Sequence, residues 1–104
     1  MLSFLGSPKH ISSYAEKRYV LQIEIDSIIN GWLLNVEKHS TDKSDIMRFK
    51  EYLEYEGDNV NSPRYHLKNL ILSMSSIKNM NSKDRYEFIT STLRWMYTHY
   101  TNIS

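Results

Sequence analysis

Cysteine is absent from this chain of 104 residues, which removes disulfides, thiol nucleophiles and thiolate zinc patterns together. Only three glycines and two prolines occur, and no glycine-rich loop is present to cradle a phosphate. No Gly-x-Ser-x-Gly elbow exposes a serine. No stretch approaches the roughly 20 apolar residues that a membrane span needs, so no membrane partner is expected. Met1-Leu2-Ser3-Phe4-Leu5 is apolar, but it lacks a basic n-region and polar residues follow at once, so it does not read as a signal peptide. Small secreted domains often lean on disulfides, so the missing cysteine favours a reducing compartment and a cytoplasmic location. The four histidines, His10, His39, His66 and His99, are far apart, and no acidic loop matches a calcium hand. They read as ordinary surface or boundary residues, with His39 suited to the negative end of a helix dipole. No metal, no cofactor and no active site are expected, and the chain does not read as an enzyme.

Apolar residues make up 40% and charged residues 24%, which places the chain among globular proteins rather than disordered tails. The length suits one core, so the expectation is a single helical domain over 1–104 with an N-terminal arm at 1–7. Ile, Asn, Lys, Ser and Tyr are abundant, a bias that suits an AT-rich coding sequence of bacterial or phage origin.

Helical periodicity is the dominant signal. Tyr14, Leu21, Ile25, Ile28, Ile29, Trp32 and Val36 recur at spacings of three, four and seven, predicting a first helix over 13–39. Ser13 and Glu16 form a capping-box pair at its start, Ser7-Pro8 is an earlier alternative, and Asn30-Gly31 is a candidate break. A second helix is expected over 42–56, capped by Thr41 and closed by Gly57 at C′, with Ile46, Phe49 and Leu53 inward and Tyr52 and Tyr55 flanking. Ser62-Pro63 starts a third over 63–79, whose inner face is Leu67, Leu70, Ile71, Met74 and Ile77. Asn79 and Asn81 end it, and Ser82 caps a fourth over 83–102 that carries Tyr86, Ile89, Leu93, Met96, Tyr97 and Tyr100. The fold class is all-α, a compact bundle of four amphipathic helices.

Charge is uneven although the net is +1. Leu21 to Asn59 holds four basic and nine acidic residues; Val60 to Ser104 holds six basic and two acidic. The densest feature is Glu51-Tyr52-Leu53-Glu54-Tyr55-Glu56-Gly57-Asp58, four acids before the glycine and after it around two tyrosines. Tyrosine is a large, stiff contact residue enriched at binding hot spots. The surrounding carboxylates would speed encounter with a basic partner. Carboxylates at a helix C-terminus oppose the helix dipole, so helix stability does not ask for them there. Glu51, Tyr52, Glu54, Tyr55, Glu56 and Asp58 are therefore the candidate partner-binding residues. The bland alternative is a solvated helix end whose tyrosines complete the core. In the basic half, Lys68, Arg85 and Arg94, with neighbouring aromatics, are the candidates for phosphate contact if the partner is a nucleic acid. Trp95, Tyr97 and Tyr100 would offer a pairing surface for a homo-oligomer if the core does not need them.

Two stretches resemble the immunity proteins that protect bacteria against nuclease colicins. His10-Ile11-Ser12-Ser13-Tyr14-Ala15-Glu16 is similar to that family's Ile-Ser-x-Tyr-Thr-Glu run into its first helix. Glu56-Gly57-Asp58 followed by Ser62-Pro63 resembles its acidic loop, which ends in Ser-Pro before the last helix. The resemblance implies a small cytoplasmic helical protein that binds and blocks a basic nuclease toxin, with contacts carried by Tyr52, Glu54, Tyr55, Glu56 and Asp58. The chain departs from the family in three ways. Leu53 and Glu54 separate the two tyrosines, the loop is one residue longer, and the helix after Ser82 has no counterpart. The expected function is an inhibitor of a basic toxin or nuclease, with a small nucleic-acid-binding or regulatory factor as the alternative.

Overall fold

The computed structural model describes residues 9–58 and 61–103, and the expected arm at 1–7 lies outside them. Four α-helices, α1 (Lys9–His39), α2 (Ser44–Glu54), α3 (Pro63–Ser73) and α4 (Ser82–Ile103), form an all-α bundle, with a 3₁₀ turn at Ser75–Asn79 before α4. No strand occurs among the described residues.

The helix ends differ from expectation in instructive ways. Since α1 is already running at Lys9, Ser13 and Glu16 are interior positions and not a capping box. The alternative start, Ser7-Pro8, lies outside the described residues, as does the side chain of Tyr14. Gly31 does not break α1; packing on both flanking turns outweighs the modest helix penalty of one glycine. Thr41 does not cap α2. Lys43 takes the N-cap position without a side-chain capping bond, and the Asp42 carboxylate instead accepts from the Ser44 N–H at 2.9 Å.

At its other end α2 stops at Glu54, because Tyr55 turns to extended backbone (ψ 126°). Gly57 is thus beyond C′, though its φ of +60° still supplies the left-handed turn that glycine favours. Ser62 caps α3 as expected, accepting from the Tyr65 N–H at 3.1 Å ahead of Pro63 at N1. The third helix then ends at Ser73. Met74 is extended, which re-aims the chain so that Ile77 still reaches the core from the 3₁₀ turn. The cap of α4 is Asn81, whose side-chain oxygen accepts from the Asp84 N–H at 2.8 Å, and Ser82 is the first helical residue.

Ion pairs and ring contacts give the directions. Lys50 reaches Glu37, Arg64 reaches Asn30 and Asp26, and Lys68 reaches Asp26, so α2 and then α3 descend α1 as one broken column. Arg85 pairs with Glu24 and Tyr97 meets Trp32, so α4 climbs beside α1 in the same sense. The core is Leu21, Ile25, Ile29 and Leu33 of α1 against Ile46, Phe49 and Leu53, Leu67, Ile71 and Leu72, Ile77, and Ile89 and Leu93. Burying each such side chain contributes roughly 1.5–3 kcal/mol. Leu70 and Tyr86, expected inside, are mostly exposed: Leu70 sits about a third of a turn off the buried stripe of α3, whereas Tyr86 is in line with Ile89 and Leu93 but one turn ahead of the first buried residue of α4.

Candidate functional site

At the upper end of the core, Phe49 is fully buried and meets Trp32 (6.4 Å between centroids), Tyr97 (5.2 Å) and Tyr100 (5.6 Å) at tilted or edge angles. Tyr52, one turn on along α2, stacks on Phe49 at 6.1 Å and lies 5.1 Å from Tyr100. Its outer edge remains in solvent. Tyr97 and Tyr100 are thus core residues, and of the three aromatics expected to pair two chains only Trp95 is largely exposed, its ring stacked on His99 at 5.3 Å. Burial raises the Tyr97 hydroxyl above its ordinary value, and the nearby Asp45 carboxylate adds to this.

Tyr55 is placed differently. It stands at the C-cap of α2, 70% exposed, its N–H donating to the Tyr52 carbonyl at 3.3 Å. The loop then folds back under the ring: a Cβ added to Gly57 would lie 3.1 Å from the Tyr55 ring. Glycine therefore serves twice here, for its backbone angle and for the close approach. The result is a largely exposed aromatic with Gly57 close to one edge of its ring.

Beside it is a shallow open cleft of about 500 Å³, lined by Tyr55, Glu56, Gly57, Asp58, Asn61, Pro63 and His66. The six candidate partner-binding residues divide accordingly. Tyr55, Glu56 and Asp58 line the cleft; Tyr52 belongs to the aromatic cluster; Glu51 is exposed on the last turns of α2. Glu54 is held by Arg64 at 3.2 Å. Among the described residues Glu51, Glu56 and Asp58 have no ion pair, so their field is directed at solvent. Sequence reading missed Asn61, Pro63 and His66 as lining. The N-cap at Ser62 is the signal that could have found them, because it turns the first turn of α3 back toward the end of α2.

Arg64 fixes this joint. It is 14% exposed and donates to Asp26 (3.1 Å), Asn30 (2.8 Å) and Glu54, tying α1, α2 and α3 together. Lys68 donates to the other Asp26 oxygen at 2.8 Å. Burial pushes the Asp26 carboxyl up, but the hydrogen bonds and charges of Lys68 and Arg64 prevail and hold it below the usual carboxylate range.

No protein-family model, curated protein or solved structure matches this chain. The surface itself must carry the functional reading.

Of the nucleic-acid candidates, Lys68 is engaged by Asp26, and Arg85 is engaged by both oxygens of Glu24 (2.5 and 3.1 Å) and by the Met80 carbonyl. The hydrogen bonds that Arg85 donates to Glu24 raise the Arg85 pKa, against a smaller opposing effect of burial. Arg94 alone of the three stands exposed without an ion pair among the described residues. His39 lies at the end of α1 with Nδ1 2.9 Å from the Asn35 carbonyl. Among the described residues no group of His, Asp or Glu is arranged to hold a metal, and no helix is long and apolar enough to cross a membrane.

Proposed function

We propose that this protein is an immunity-type inhibitor, which neutralises a basic toxin or nuclease in the cytoplasm by occupying its positively charged cleft. The supporting observation is Tyr55: a large aromatic, 70% exposed, close to Gly57 at the rim of a cleft with the carboxylates of Glu56 and Asp58, which make no ion pair among the described residues. A tyrosine offers a large contact area with few rotatable bonds to order on binding, which is what an anchor residue needs. Glu51, Glu56 and Asp58 steer the basic partner in, and Tyr52 adds the exposed edge of its ring. The same segment carries the resemblance to the nuclease-colicin immunity proteins. The nucleic-acid alternative has less to draw on, since Lys68 and Arg85 are spent on internal partners.

A tagged pull-down from the native host, washed at low and then high salt, tests this. Stoichiometric capture of one basic protein is expected. Tyr55→Ala should then weaken its binding by about 2 kcal/mol or more, near 30-fold. Neutralising Glu56 and Asp58 should mainly slow association and flatten its salt dependence. Unchanged affinity in a Tyr55→Ala/Glu56→Ala double variant would overturn the assignment. Salt-labile nucleic acid on the beads, lost with Arg94→Ala, would move the function to the basic half.

A further inference from the structure

The outward face of α1 carries a pattern that the bundle does not use. Val20, Ile23 and Leu34 are 55, 51 and 67% exposed, on the side of the helix away from Ile25 and Ile29. Ser27 and Gly31 lie between them and are exposed as well. Among the described residues a Cβ at Gly31 would meet nothing within 4 Å, and its backbone is ordinary helix, so none of them asks for a glycine that disfavours helix. Glu16 and Lys38 end the stripe, both exposed, and among the described residues neither makes an ion pair.

The stripe is its own mirror image. Counted from Ser27, Ile23 and Gly31 lie four residues to either side, Val20 and Leu34 seven, and Glu16 and Lys38 eleven. Two such helices laid antiparallel, with Ser27 facing Ser27, bring every unlike pair together. Ile23 of one copy fills the space over Gly31 of the other, Val20 meets Leu34, and Glu16 meets Lys38 at both ends. A self-complementary surface of this kind is what a two-fold dimer requires, because each contact must occur twice.

We infer that the outer face of α1 is the contact surface for a second copy of this chain, in an antiparallel two-fold dimer centred on Ser27. The charges favour this occupant over an unrelated apolar helix, since acid and base sit at matched distances from the centre. From Glu16 to Lys38 the helix runs about 33 Å at 1.5 Å per residue. A face of that length covers less than the roughly 800 Å² per partner of a standard interface, so the dimer is weak and concentration-dependent. It uses none of the residues that line the acidic cleft.

Sedimentation equilibrium at rising concentration is the test, with circular dichroism as the folding control. The average mass should climb from 12.4 kDa toward twice that value. Ile23→Asp should hold the chain monomeric while leaving its helix content unchanged. Glu16→Lys or Lys38→Glu alone should weaken association several-fold, and the two together should restore it, because each end then carries a Lys–Glu pair again. Rescue cannot be mimicked by a general loss of stability. A chain that stays monomeric up to about 1 mM, a dimer indifferent to Ile23→Asp, or a double variant no better than the singles would each overturn the inference.

Discussion

Tyr52 and Tyr55 stand three residues apart in one acidic segment, yet their environments predict opposite responses to truncation. The Tyr52 ring is 42% exposed and packs on Phe49 and Tyr100, whereas the Tyr55 ring is 70% exposed and touches the loop at Gly57. Full burial of an aromatic side chain stabilises by up to about 3 kcal/mol, and an aromatic pair adds roughly 0.5–1.5 kcal/mol. With somewhat over half of the residue covered and two ring pairs lost, Tyr52→Ala should cost about 2–3 kcal/mol. In a domain of this size that lowers Tm by roughly 8–24 °C. Tyr55→Ala should stay within about 0.5 kcal/mol, the usual range for a surface change. Thermal and urea unfolding of the two variants side by side give the comparison. A cycle with Tyr100→Ala adds the decisive number, since Tyr52 and Tyr100 should couple by about 0.5–1.5 kcal/mol. Equal Tm losses in the two single variants, or no coupling to Tyr100, would refute the division into a packed and a presented tyrosine.

Phe49→Ala should destabilise by about 3–5 kcal/mol, enough to unfold much of the population, because Trp32, Tyr97 and Tyr100 all lean on that ring; near-wild-type urea unfolding would contradict this. Gly57→Ala should cost about 1–2 kcal/mol, from the left-handed backbone and the crowding against Tyr55, and should also weaken partner binding by displacing that ring. Asp26 has a depressed carboxyl in the folded state, so the folded protein binds fewer protons there than the unfolded chain. Its contribution is fully present above the unfolded value of about 3.9 and is lost as pH falls through the lower folded value. Tm should therefore fall more steeply with acid in the wild type than in Asp26→Asn, and parallel curves would remove Asp26 from the account.

The sequence carried the helices well and their ends less well. Ile25, Ile29, Ile46, Phe49, Leu53, Ile71, Ile89 and Leu93 announce their burial by period alone, because a stripe on one helix has only one way to face a core. The caps were harder to read, since Asn81 competed with Ser82 and Asp42 with Thr41, and the choice rests on backbone angles that neighbouring side chains do not reveal. Leu70 and Tyr86 misled for two reasons: Leu70 is off its stripe, which shows only once the packing partner is known, and Tyr86 is on its stripe but ahead of the point where the core begins. At the candidate site the acids and tyrosines were visible as a cluster, but their division was not. The pairing of Glu54 with Arg64, and the packing of Tyr52 against a residue 48 positions later, are tertiary facts.

The broken column of α2 and α3 against a continuous α1 also sets the order in which the molecule can be made. During synthesis α1 emerges with Ile25, Ile29, Trp32 and Val36 uncovered, and α2 and α3 shield only one flank of it. The ring cluster around Phe49 closes when Tyr97 and Tyr100 arrive. At about 5–20 residues per second, the interval between Val36 and Tyr100 is roughly 3–13 s. Through that window a nascent chain bears an open apolar seam, which a chaperone can hold or a protease can enter. A ribosome stalled before residue 97 would leave the bundle unsealed. The last two turns of α4 are therefore a latch as well as a layer of the core.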